Sequence, residues 1–151
     1  MVFGGSEYGN ALYNASDLPQ PDGTLTIGEG IQIHGKTGSI SNRYMNGQIA
    51  NDGTISADTA AGTIYVGGEF TNRNTLEAVG GTLYLSGPWT NRDTIRAMAG
   101  FVDLGGQGVN QGTISADTAD GTVDVWGDFT NQGTIEAAGG TAHYRRVDLL
   151  D

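Results

Sequence analysis

No cysteine occurs among the 151 residues. That removes disulfides, zinc–thiolate sites and cysteine nucleophiles at one stroke. Basic residues are scarce: seven Lys and Arg stand against seventeen Asp and Glu, for a net charge of −10. Phosphates are bound by cations that displace counterions, so nucleic acid is not an expected partner, nor is an anionic membrane surface. No apolar run reaches the roughly 18 residues a spanning helix needs, so membrane insertion is not expected. Met1-Val-Phe-Gly-Gly has neither the basic nor the apolar region of a signal peptide. Proline is limited to three residues, whereas glycine reaches 26. That mixture, with abundant Val, Ile, Leu and Thr, suits many short strands separated by tight turns.

What is present is repetition. Shifted by 59 residues, segment 51–82 matches segment 110–141 at 22 of 32 positions. A shorter period lies inside. Gly-Thr-Ile or a close variant starts at Gly53, Asn74, Asp93, Gly112 and Gly133, with spacings of 21, 19, 19 and 21. A second series starts at Gly62, Gly81, Gly100, Gly121 and Gly140, and each member precedes the next member of the first series by 12 residues. Fixed periods of this size announce a stacked-repeat architecture. The expected fold is all-β: a parallel β-solenoid with coils of about 19–21 residues, residues 23–142, behind an irregular N-terminal cap at 1–22. Residues 143–151 form a tail or second cap.

Each coil reads alike. Asn-x-Gly-Thr-Ile-x-Ala is one strand, a Gly turn follows, Gly-Thr-Leu-x-Leu is a second, and a short Phe/Trp-Thr segment leads to the next Asn. Strand alternation turns every second side chain inward. The expected inward stacks are Ile55, Leu76, Ile95, Ile114 and Ile135, then Ala57, Ala78, Ala97, Ala116 and Ala137. From the second strand come Ile64, Leu83, Val102 and Val123, with Val66, Leu85, Leu104 and Val125 beside them. Phe70, Trp89 and Phe129 fill a third position, which is Gly108 in one coil. Gly23-Thr-Leu-Thr-Ile aligns with Gly81-Thr-Leu-Tyr-Leu, which starts the repeat at residue 23. Residues 34–50 read as an irregular coil with strand starts at Gly38 and Gly47 and a bulge or loop at Arg43-Tyr-Met.

Asn51, Asn72, Asn91, Asn110 and Asn131 recur at one turn of every coil. An inward ladder of carboxamides bonded from coil to coil is the expected structural site. Outward positions are where chemistry would sit. One face carries Thr54, Thr75, Thr94, Thr113 and Thr134, a row that ordinary strand preference explains. Beside it Glu77 and Arg96 should form an exposed cross-strand ion pair. The other face carries Tyr65, Tyr84, Asp103 and Asp124, a candidate glycan-binding row: aromatic rings for a sugar, then two carboxylates one coil apart. No Lys or Arg is evidently arranged around those two aspartates. His34 and His143 have no Cys or carboxylate at ligand spacing, so no metal, cofactor or catalytic residue is expected.

The phrasing Asn-x-Gly-Thr-Ile-x-Ala…Gly-Gly-Thr-Leu-x-Leu-x-Gly-x-Trp-Thr-Asn resembles the repeats of large bacterial surface and secreted proteins of the filamentous-haemagglutinin and adhesin type. The likeness covers about residues 23–142. It implies a right-handed parallel β-helix with an extracellular or cell-surface structural or adhesive role and no enzymatic one. Two alternatives stand beside the rigid spacer: a fibre subunit that stacks on itself end to end, and a glycan-binding or glycan-cleaving β-helix. Their partners would be the chain itself or surface glycans.

Overall fold

The computed structural model describes residues 1–4, 10–17 and 23–145. It is an all-β chain, without helices among those residues, whose three parallel sheets stack as a right-handed-type β-solenoid of about six turns. The first sheet holds β1 (Val2–Phe3), β4 (Gln32–Gly35), β7 (Thr54–Ala57), β10 (Thr75–Ala78), β13 (Thr94–Ala97), β16 (Thr113–Ala116) and β19 (Thr134–Glu136). The second holds β2 (Ala11–Asn14), β5 (Gly38–Asn42), β8 (Thr63–Gly67), β11 (Thr82–Ser86), β14 (Phe101–Leu104), β17 (Thr122–Trp126) and β20 (Thr141–Arg145). The third holds β3 (Thr24–Ile27), β6 (Gln48–Asn51), β9 (Glu69–Asn72), β12 (Trp89–Asn91), β15 (Gln107–Asn110) and β18 (Asp128–Asn131). Each coil visits the three sheets in turn.

The short Phe/Trp-Thr segment is thus a strand of its own, and coils have three strands rather than two. Register follows the sequence period: Leu76 pairs with Ile55 and Ile95, Ala78 with Ala57 and Ala97, and Leu83 with Ile64 and Val102. These inward residues are fully buried and belong to one continuous apolar cluster. The last described coil departs from the expected stacks, because among the described residues no strand pairs with its outer edge. Ile135 and Phe129 are only partly buried, and Ala137 is exposed.

One correction concerns the start of the chain. Thr24–Ile27 pairs with Gln48–Asn51 in the third sheet, so it is not the counterpart of the Gly81 strand, which lies in the second. Gly-Thr-Leu-Thr-Ile alternates correctly for either sheet, and only pairing fixes its phase. The described part of 1–22 supplies the outermost strands of two sheets: Phe3 opposite Gly35, and Leu12 opposite Ile40. Phe3 is 2% exposed, and its ring fills the space beside Gly38, where a Cβ would collide with it. Tyr8 and the Leu18-Pro19-Gln-Pro21-Asp-Gly turn fall wholly or mainly outside the described residues.

The corner between the second and third sheets is built on glycine. Gly68, Gly87, Gly106 and Gly127 lie on successive coils with φ of +87°, +97°, +88° and +99°. L-residues with a Cβ avoid this region, and the row is also self-crowded. A Cβ on Gly106 would sit 2.8 Å from the Gly87 carbonyl oxygen, and one on Gly127 2.6 Å from that of Gly106.

Candidate functional site

Three places bring polar side chains together, and each follows from register. The first is the ladder. Nδ2 of Asn51, Asn72, Asn91 and Asn110 donates to Oδ1 of the next coil's asparagine at 2.8–2.9 Å. Each also reaches a carbonyl two residues on and a threonine carbonyl of the next coil, as Asn91 does to Asp93 at 3.0 Å and Thr113 at 3.2 Å. These four are at most 1% exposed, while Asn131 at the end is exposed. The carboxamides therefore give a second hydrogen bond to corner carbonyls that already accept a threonine N–H from the next coil, as Asp93 does from Thr113 at 2.7 Å.

The second place is the outward row of the second sheet. Tyr65, Tyr84, Asp103 and Asp124 lie in register on four successive coils, followed by His143. The expected residues are brought together, but not as a free carboxylate pair. Trp126 Nε1 donates to Asp103 Oδ1. The indole reaches it by lying over Gly105, where any Cβ would strike the ring. Arg145 Nη2 lies 3.2 Å from Asp124 Oδ2. This corrects the expectation that no cation attends the two aspartates. Arg145 comes from the tail, where the repeat pattern stops, and only strand pairing carries it to Asp124. Asp124 is 9% exposed, and its Oδ1 has no hydrogen-bond partner. Tyr65 and Tyr84 meet edge to face, ring centroids 5.7 Å apart at 61°. Tyr65, 49% exposed, presents an open ring surface. The row can offer a sugar one aromatic face and hydroxyl donors, with Asp103 held through Oδ1 by Trp126 and Asp124 through Oδ2 by Arg145.

The third place was not legible in the sequence: a groove of about 630 Å³ along the third sheet. Its polar lining includes Gln48, Glu69, Thr71, Thr90, Gln107 and Asp128. Gln48 Nε2 donates to Glu69 Oε1 at 3.0 Å. The signal was present, since positions 48, 69, 88, 107 and 128 repeat at spacings of 21, 19, 19 and 21. They are the outward positions at or, for Pro88, just before the start of the third-sheet strands, in the short Phe/Trp-Thr segment that the repeat does not mark as a strand.

Two further pairings differ from expectation. His34 Nδ1 lies 2.8 Å from Asp58 Oδ2, a carboxylate 24 residues away that stacking of adjacent coils brings close. Arg96 donates from Nε and Nη2 to Glu77 Oε2 at 3.0 and 2.7 Å. That pair is not simply exposed: the Glu77 side chain is 13% accessible and the Arg96 side chain 38%. Ser56 and Ser115 share this outward row yet are buried, since the longer side chains of His34 and Glu77, or Arg96 and Glu136, flank them. Among the described residues, no three His, Asp or Glu side chains are placed to hold a metal ion.

No family model matches the chain, and neither a curated protein nor a solved structure does. No such match links it to the haemagglutinin-type repeats; what stands is a parallel β-solenoid of about six turns.

Proposed function

We propose that the chain is a non-enzymatic structural segment of a bacterial surface or secreted protein, a stiff spacer that holds what it bears at a fixed distance. The observation that carries this reading is the unbroken register of three parallel sheets, with buried asparagines stitching four successive corners. Bending such a rod would break backbone ladders, core contacts and carboxamide bonds together. The resemblance to adhesin-type repeats supports an extracellular setting.

Stiffness is measurable because the chain has no cysteine of its own. Nitroxide labels at Glu29→Cys and Gln132→Cys sit on corresponding corners five coils apart. At about 4.8 Å per coil they should give one narrow distance near roughly 24 Å plus linkers by pulsed electron resonance. A broad or bimodal distribution would remove the spacer reading.

A second reading, glycan binding on the second sheet, is favoured by the exposed Tyr65 ring beside Tyr84. A glycan array should then show hits that Tyr65→Ala abolishes. Indifference of every hit to Tyr65→Ala and to Asp103→Asn/Asp124→Asn rejects it.

A further inference from the structure

The asparagine ladder has a direction, so its two ends differ. Every internal carboxamide donates from Nδ2 toward the C-terminal coil and accepts at Oδ1 from the N-terminal one. At the N-terminal end, the position before Asn51 belongs to Ile27, its register partner, which is 4% exposed. Asn51 Oδ1 is buried and receives no hydrogen bond. The ladder is shut there by an apolar side chain.

The C-terminal end is different. Asn131 accepts from Asn110 at 2.8 Å, but among the described residues its Nδ2 donates only to the Gly133 carbonyl at 3.1 Å. Its four predecessors each make two more bonds toward the next coil. Around Asn131, positions buried in earlier coils come to the surface. Ala116 is fully buried whereas Ala137 is exposed, and Val125 is 2% exposed whereas Tyr144, its register partner, is 56% exposed.

We propose that the C-terminal face is a docking surface for one further parallel coil of this same chemistry, with Asn at the ladder position and apolar residues over Ile135 and Phe129. The ladder itself names the occupant. Four successive steps place an asparagine Oδ1 where Asn131 Nδ2 has a proton to give, and the outer edges of β18, β19 and β20 supply the remaining bonds. The N-terminal face of a second copy does not meet this requirement, because Ile27 there has no acceptor to offer. End-to-end stacking of identical chains into fibres is disfavoured for that reason. The proposal stands apart from the spacer reading, since a rod ending blindly would space equally well.

The test keeps every native residue. Residues 122–140 are repeated in tandem after Gly140, which adds one coil ahead of the native 141–151. Exchange of the Asn131 side-chain amide protons, followed by NMR, should slow at least about tenfold, the effect of one buried hydrogen bond, and the urea midpoint should rise. The same extension with Asn131→Ile in the added copy alone should restore fast exchange at the original Asn131 while the added coil still folds. Equal protection by both extensions, or by neither, overturns the proposal. So does a native chain that sediments as a dimer with Asn131 already protected, which would assign the face to a second copy.

Discussion

A buried carboxamide is worth what its removal leaves behind. Asn91→Ala deletes donors to Asp93, Asn110 and Thr113 and the acceptor of Asn72, all within the rod. The Asp93 carbonyl keeps the Thr113 N–H and Asn72 Nδ2 keeps two carbonyls, but Asn110 Oδ1 loses its donor. At about 1–3 kcal/mol for an orphaned buried group plus the other lost bonds, the expected loss in urea unfolding is about 2–4 kcal/mol. Asn131→Ala, at the exposed end, should cost below about 1 kcal/mol; equal losses would mean the ladder bonds are not what stabilises the corners. Glycine separates strain from collision in the same way. Gly80 (φ +96°) has nothing within 4 Å of an added Cβ, so Gly80→Ala should cost only backbone strain, about 1 kcal/mol. Gly106→Ala adds the clash with Gly87 and should cost about 2–4 kcal/mol by thermal melting. If the two variants melt together, crowding at this corner is relieved by small shifts.

Between strands, the informative contact is a side chain borrowing a neighbour's space. Trp89 is 4% exposed, lies over Gly108 on the next coil and donates Nε1–H to the Gly105 carbonyl at 3.0 Å. Phe129, two coils along, then packs against the indole with centroids 5.7 Å apart. Gly108→Ala should therefore destabilise by about 1–3 kcal/mol, and Trp89→Leu should relieve that penalty. A double-mutant cycle in urea checks this: purely additive losses would show that the indole does not depend on Gly108. The same contact marks how far the sequence could be read. Inward Ile, Leu, Val and Ala stacks were legible because strands of four or five residues alternate and the period sets their register. Gly108 was visible as an odd member of an aromatic row, but nothing in one coil says that the previous coil's indole occupies its place. Trp126 on Asp103 and Arg145 on Asp124 were hidden for the same reason: each joins residues more than 20 apart through pairing alone. The phase of Thr24–Ile27 was misread because Gly-Thr-Leu-Thr-Ile fits more than one sheet.

For the whole molecule, stacking makes stability nearly one-dimensional, since each coil leans on the coils above and below it. Local opening should then depend on distance from an end and on how that end is closed. The N-terminal end carries Phe3 and Ile27, 2% and 4% exposed, whereas at the C-terminal end Ala137 and Tyr144 stand in the open. Native-state amide exchange should therefore be slowest across β9–β14, fall modestly toward β4 and β5, and fall steeply through β18, β19 and β20. The contrast between ends is the discriminating quantity, because fraying alone would be symmetric. Protection as high in β19 as in β10 would mean that the last coil is closed by something other than the strand order described, and the asymmetry of the ladder would lose its energetic meaning. Protection equally low at both ends would say that Ile27 and Phe3 bury area without closing the coil. Steep loss at one end alone is the outcome that a directional ladder, shut by isoleucine and left open by asparagine, requires.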